Sequence, residues 1–320
     1  MAAVLSGFAV VWLIIAVGYV LGRIGVLGPE ARVVLSRVAF FVASPCLLFI
    51  TISGSPIREV LGPQFAVAAL SAFTMLGLFL LLGRFLLLRG RSAADLVMGG
   101  MSASLVNSAN LGFPIAAYVL GDISLAAPVV MFQLALYTPI YVGLLDQLSA
   151  RKGTTQRVRP RARTEVLRRL AQTLVNPMIV GSALGLLFSW RSWELPEQLH
   201  ESVELLAGAS IPLMLLAFGL SLVGARPLNK ASGRRRDVLI AAVIKLLIHP
   251  LLAYVIAAFL FRLDGVMLLA AVVLASLPTA QNVLVAAVRY STGETIARDT
   301  VLVTTILGIP SMAVVAVLLA

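Results

Sequence analysis

Asn107-Ser108-Ala109-Asn110-Leu111-Gly112-Phe113-Pro114 puts two amides, a glycine and a proline in the middle of an apolar segment that runs over about 93–120. A segment of that length crosses a bilayer core of ~30 Å at ~1.5 Å per residue. Its centre, however, is its polar part, and a helix facing lipid has no use for amides there. Proline removes a backbone donor and collides with the preceding turn, so the helix is expected to break just before Pro114, which then opens a second half-helix. A break at mid-membrane bares carbonyl and N–H groups. These are tolerated only where protein or a water-filled cavity satisfies them, which is how many carriers build substrate sites. The plainer alternative is a proline-kinked helix with two packing amides.

The chain has 320 residues, 60% hydrophobic and 12% charged, with a mean hydropathy of +1.01. That is more apolar surface than one soluble core can bury, so the fold class is an all-α membrane protein. The formal net charge of +11 does not indicate a nucleic-acid partner. The basic residues lie between apolar segments, and no aromatic-interleaved module accompanies them. The one cysteine, Cys46, sits inside an apolar run, so neither a disulfide framework nor a cysteine metal site is expected. The first apolar stretch, 5–21, has no basic flank ahead of it and runs into Gly22-Arg23 without a small-residue cleavage pattern. It reads as a retained first helix.

Apolar runs give ten spans, at 5–22, 33–53, 63–88, 93–120, 124–147, 167–188, 199–223, 238–260, 266–288 and 299–319. Connections are short except for 148–166 and 224–237. Both are basic, with Arg151, Lys152, Arg157, Arg159, Arg161 and Arg163 in one and Arg226, Lys230, Arg234, Arg235 and Arg236 in the other. Placing these two in the cytoplasm fixes every other loop, because each crossing flips the side. Arg23, Arg32, Arg37, Arg84, Arg89, Arg91, Arg168, Arg169, Arg289 and Arg298 then fall inside as well. The outer side receives only Arg58, Arg191 and Arg262, and Lys245 lies within a span. The expected topology is multi-pass in the cell inner (plasma) membrane, with both termini outside.

Five spans on either side of the basic connector suggest two repeats, 1–147 and 167–320, joined by 148–166, and an odd number per repeat inverts the second. Weak internal symmetry agrees. The second span carries Ala43-Ser44-Pro45-Cys46-Leu47-Leu48-Phe49 and the seventh Ala209-Ser210-Ile211-Pro212-Leu213-Met214-Leu215. The ninth carries Ser276-Leu277-Pro278-Thr279-Ala280-Gln281-Asn282, polar residues around a proline, as the fourth does. Interrupted helices in matching positions of two halves point to a binding site between repeats.

The Asn-rich Gly-x-Pro break, Leu35-Ser36-Arg37 leading to Ser44-Pro45, Asn176-Pro177 opening the sixth span, and Pro278-Thr279-Ala280 followed by Thr304-Thr305-Ile306-Leu307 together resemble the auxin efflux carrier family in its bacterial, malonate- and malate-permease-like branch. The resemblance covers essentially the whole chain. It implies an inverted-repeat fold similar to bile-acid sodium symporters and sodium/proton antiporters, with broken fourth and ninth helices crossing at the substrate site. It also implies organic-anion substrates, malonate or malate in bacteria and indole acetate in plants. The long cytoplasmic loop of the plant members is reduced here to a short basic connector, so their phosphorylation control is not carried over.

At such a crossing, helix N-termini hold a carboxylate without Lys or Arg. Asn107, Asn110, Gln281 and Asn282 add side-chain donors, while Gly112, Pro114, Pro278 and Thr279 shape the breaks. Amides donate to an anion yet stay neutral when the site is empty. Each amide alone is as readily a tie between helices, worth about 0.6 kcal/mol; four around two breaks are harder to explain that way. Gln133 and Tyr137, one turn apart beside Pro139, are candidates for cavity lining, with packing the equal alternative. Ser44, Pro45, Ser210 and Pro212 are auxiliary candidates.

No Asp or Glu lies deep in the fourth, fifth or ninth spans, which disfavours a sodium/proton antiporter. Lys245, eight residues past Asp237 and so roughly 12 Å into its span, either snorkels to the cytoplasmic surface or attracts the anion from inside. His249, one turn deeper beside Pro250, suits titration near neutral pH. Gly181 and Gly185 suit close helix contact, within the chain or in a homodimer. No His-Glu-x-x-His, no paired Glu with distal His, no Asp-rich prenyl-diphosphate motif and no Walker loop marks an enzyme, and neither cofactor nor metal is expected.

The function read from the sequence is a secondary transporter, an exporter or facilitator of dicarboxylate or auxin-like anions. It would work by alternating access, spans 3–5 and 8–10 rocking or riding elevator-like against spans 1–2 and 6–7. The alternatives are a sodium- or proton-coupled symporter of the same fold, or a membrane receptor or scaffold that transports nothing.

Overall fold

The computed structural model describes residues 2–28, 30–54, 62–87, 90–151, 177–224, 228 and 233–319. Among these residues all regular structure is helical, and one isolated antiparallel bridge joins two non-helical stretches. The helices are α1 (Ala2–Ile24), α2 (Ala31–Ser53), α3 (Pro63–Phe85), α4 (Ala93–Ser104), α5 (Asn110–Leu120), α6 (Ile123–Leu148), α7 (Pro177–Arg191), α8 (Glu197–Ser221), α9 (Arg235–Leu260), α10 (Gly265–Ala275), α11 (Asn282–Arg289) and α12 (Glu294–Leu319). Six of them, α1, α2, α3, α6, α8 and α9, are long and apolar enough to cross a bilayer. Counting α12 as one span despite a 47° bend at Pro310 makes seven. The protein is therefore a multi-pass membrane protein. Most of the basic connector, from 152 on, and Asn176 lie outside the described residues.

The prolines explain where helices do and do not break. Pro45, Pro114, Pro139 and Pro250 each lie two residues beyond a π turn, over Ala39–Ala43, Ser108–Gly112, Gln133–Tyr137 and Ile244–Ile248. In three of these the residue before the proline donates to the carbonyl five back: Ser44 to Ala39, Thr138 to Gln133 and His249 to Ile244. One extra residue in the turn moves backbone away from the pyrrolidine ring and absorbs the missing donor, so the helix continues. The expectation of a break just before Pro114 is therefore corrected. The fourth stretch breaks earlier, at 105–107 after α4, and Pro114 lies inside a continuing helix. The ninth stretch breaks around Pro278, between α10 and α11, where it was expected.

The described residues form two compact units, and each draws on both halves of the sequence. The first takes residues from 1–65, 109–131 and 165–225. Within it α1 lies against α8 and α7 against α2, both pairs closely approached through glycine. A Cβ on Gly18 would run into the Leu216 backbone, one on Gly219 into Ile15, and one on Gly181 into Pro45. Gly181 and Gly185 are thus used inside the chain. Ser44 Oγ and Ser210 Oγ, both buried, share a hydrogen bond of 3.0 Å.

The second unit takes residues from 66–108, 132–164 and 226–320. Its core joins Met75, Phe79, Leu96 and Ala103 to Ala241 and Ile244, with Gly99 admitting the Phe79 ring. At one end it is closed by charge. Arg91 grips Asp237, 1% exposed, with two nitrogens at 3.1 and 2.9 Å, and Arg234 holds Asp95 at 3.0 Å. The two-point grip of Arg91 on Asp237 is the geometrically specific kind of ion pair. Nearby, Tyr290 donates to Asp146 at 3.0 Å, and burial together with that carboxylate pushes the phenol up to about 12.

Candidate functional site

The site is built where the two breaks of the second unit meet. Leu105 leaves α4 with extended geometry, and the chain through Asn107 lies antiparallel to 278–280. The Asn107 N–H donates to the Pro278 carbonyl at 2.8 Å and the Ala280 N–H to the Leu105 carbonyl at 3.0 Å, flanking Val106 and Thr279. The backbone groups freed by one interruption are thus partly satisfied by the other, which is what unwound chain buried in a membrane protein requires.

Side chains from neighbouring elements fix this pairing. Gln133 Nε2 donates to the Val106 carbonyl at 2.9 Å, and its Oε1 accepts from Ser108 Oγ at 2.8 Å. Tyr137, 1% exposed, shares a 2.6 Å hydrogen bond with Ser104, whose own hydroxyl donates to Gly100. On the facing segment Thr279 Oγ1 donates to the Ser102 carbonyl at 2.6 Å. Its N–H donates to Thr304 Oγ1 at 3.0 Å. Gln133, Tyr137 and Thr279 therefore hold the breaks in register.

Asn107 behaves differently. It is 2% exposed, and its Nδ2 finds no acceptor among the described residues. Asn282, the first residue of α11, is exposed, and Gln281, which precedes it at the N-cap position without a capping side-chain bond, is half-buried. Pro278 is buried at the bridge. Asn110, Gly112 and Pro114 fall in the first unit, as do Ser44, Pro45, Ser210 and Pro212.

Lys245 does not snorkel. It is 0% exposed, donating to the Ala275 carbonyl at 2.9 Å and lying 2.8 Å from His249 Nδ1. Sequence reasoning passed over Ser102 and Ser104, and quoted Ser108 and Thr304 only as parts of motifs. For Ser102 and Ser104 the signal was two hydroxyls in the last turn before the break, in a segment otherwise apolar or small from 96 on. Among the described residues no group of three His, Cys, Asp or Glu side chains is placed to hold a metal ion.

A family model described as "Membrane transport protein" matches residues 3–316. The chain belongs to this family, the auxin efflux carriers. A protein of Rhizobium meliloti (strain 1021) named "Putative malonate transporter" is 27% identical over 299 residues, covering 93% of this chain and 90% of the relative. A protein of Methanocaldococcus jannaschii named as an uncharacterized transporter is 23% identical over 302 residues, 92% of each. The auxin efflux carrier family and these relatives are transporters rather than enzymes.

Proposed function

We propose that the protein is a secondary carrier of small carboxylates, malonate-like dianions foremost, which bind at the paired breaks. The observation that carries this reading is Asn107, a buried amide whose Nδ2 lacks an acceptor among the described residues at the point where two interrupted helices meet. An unpaired buried donor costs about 1–3 kcal/mol, and a carboxylate oxygen would remove that cost. Asn282 at the start of α11 adds an accessible donor at a helix N-terminus. The name of the Rhizobium relative supports malonate as the first substrate to test.

Ten spans in two inverted five-span repeats are part of the same proposal. Its support is that pairings recur as the repeat requires: α1 packs with α8 as α7 does with α2, Ser44 bonds its counterpart Ser210, and one break pairs with the other. Elevator-like movement of spans 3–5 and 8–10 against 1–2 and 6–7 is supported by the two compact units, which follow that division except that 109–131 joins the first. The topology carried forward is the plasma membrane with both termini outside.

Movement of an anion outward across an inside-negative membrane is favoured by about 2.3 kcal/mol per charge per 100 mV, so export needs no sodium gradient. Purified protein in liposomes loaded with labelled malonate, under an imposed potential of either sign, tests this. Efflux should accelerate when the malonate-containing side is negative and slow when it is positive. Flux indifferent to the sign would refute potential-driven export, and flux requiring a sodium gradient would favour the symporter.

A further inference from the structure

We propose that Lys245 and His249 form a proton-binding site linked to the anion site, so that a malonate-type dianion is bound together with one proton. The inference rests on the carboxylate-carrier reading above. Lys245 and His249 are 0% and 2% exposed. Lys245 Nζ donates to the Ala275 carbonyl at 2.9 Å and lies 2.8 Å from His249 Nδ1, while His249 Nε2 lies 3.2 Å from Ser71 Oγ. The Ser71 hydroxyl donates onward to the Ala68 carbonyl at 3.3 Å. One assignment satisfies every group: Nζ donates to Nδ1, Nε2–H donates to Ser71, and Ser71 donates to Ala68. These bonds are the same whether Lys245 carries two protons or three, the third N–H having no acceptor among the described residues, so the network gains or loses a proton without rearranging.

No carboxylate on the packed elements reaches this network. On α9 itself Asp237 lies eight residues, roughly 12 Å, before Lys245 and is held by Arg91. On α4, Asp95 is held by Arg234 and Thr292. On α12 the charged groups Glu294, Arg298 and Asp299 lie in the first turns, and Asp299 accepts from the Leu228 N–H and from Arg298. Ser311 of α12, which donates to the Leu246 carbonyl beside Lys245, is twelve residues or roughly 18 Å further on. In α3 the first titratable side chain is Arg84, and α10 carries none.

A buried ammonium without a counter-ion is costly, so charge on Lys245 is favoured when negative charge is brought near. Ala275 is the last residue of α10, and its carbonyl belongs to the negative end of that half-helix. The chain then runs directly into the break, with Thr279 four residues on and Asn107 bonded to Pro278. An anion bound at the breaks would supply the missing charge. Linkage makes the effect reciprocal: the anion raises proton affinity and the proton raises anion affinity by the same factor. Two unit charges about 10 Å apart at an effective dielectric of about 20 give a factor of roughly ten. One proton per dianion leaves a load of net −1, which still moves outward with the potential at about half the sensitivity of the bare dianion.

The test is calorimetric titration of the purified full-length protein with malonate, from about pH 7 to about pH 10, in buffers of different ionisation enthalpy. Malonate itself stays ionised over this range. Proton uptake should pass through a maximum of about half a proton per malonate within the range, with Kd weakening roughly tenfold toward its upper end. Lys245→Gln and His249→Gln should each abolish the uptake and flatten the pH dependence. Should Lys245→Gln fail to fold, the unaltered protein and His249→Gln decide. Malonate binding of constant strength with no proton uptake would overturn the proton site and leave the carrier reading standing. Absence of malonate binding at every pH would overturn the carrier reading and the linkage with it.

Discussion

Asn107 and Gln133 carry the same functional group and meet opposite fates. Both ends of the Gln133 amide are engaged, with the Val106 carbonyl and the Ser108 hydroxyl, whereas Asn107 Nδ2 has no acceptor among the described residues. Replacing Gln133 with Ala leaves the Ser108 hydroxyl without its acceptor and the Val106 carbonyl with only the Ser108 N–H, and is expected to cost about 1–3 kcal/mol, lowering the melting temperature in detergent by several degrees. Replacing Asn107 with Ala removes an unsatisfied donor. Melting should stay level or rise, while malonate transport falls by about tenfold or more, the worth of a hydrogen bond to a charged group. Thermal melts and liposome flux on the same preparations check both, and an unfolded Asn107→Ala protein would make that residue a helix tie. The sequence singled out both amides but could not separate them, because the Val106 carbonyl is available to Gln133 only once helix α4 has ended. Lys245 is a similar case: the snorkelling alternative was settled by the Ala275 carbonyl and His249, neither of which spacing alone could assign to it.

At the scale of the element, the two breaks differ in how openly the sequence declares them. Pro278 stands in a break among Ser276, Thr279 and Gln281, with no helix across it. The break at 105–107 contains no proline or glycine. Its cause is tertiary, since its backbone hydrogen bonds are made to 278–280 from the far end of the chain. Pro114, the apparent breaker, is absorbed by the preceding π turn, as Pro45, Pro139 and Pro250 are by theirs. Pro114→Ala should therefore cost only the modest chain-entropy advantage of proline, about 0.4–1 kcal/mol, and leave malonate flux within about twofold. Thr304→Val should do more harm although it lies on another helix. It strands the buried Thr279 N–H, at an expected cost of about 1–3 kcal/mol, and Thr304→Ser should restore the loss because the accepting oxygen is kept. Melting temperature and flux for the three variants make the comparison, and a Pro114→Ala protein damaged more than Thr304→Val would return the decisive break to Pro114.

Over the whole molecule, hydropathy and motif order mark two halves because both are local properties of the chain. Compactness follows other lines: each unit combines pieces of both halves, since packing joins residues that no local pattern relates. Within the second unit the proposed elevator makes a sharp demand, that the two breaks travel as one body instead of parting to admit substrate. Val106 and Thr279 sit opposite each other without sharing hydrogen bonds, a position where antiparallel Cα atoms are typically about 4.5 Å apart, inside the span a disulfide bridges. Val106→Cys with Thr279→Cys, in a protein whose native Cys46 is replaced by Ser, should therefore oxidise readily to a bond detectable as joined peptides by mass spectrometry. The single Thr279→Cys variant measures what is lost with the hydroxyl bond to Ser102. Relative to that control, the oxidised double variant should move malonate within about twofold of its reduced form, because the bond ties together parts that already move together. Transport abolished on oxidation and restored by reductant would mean instead that the crossing itself opens, and would replace the moving unit with a gate at the breaks.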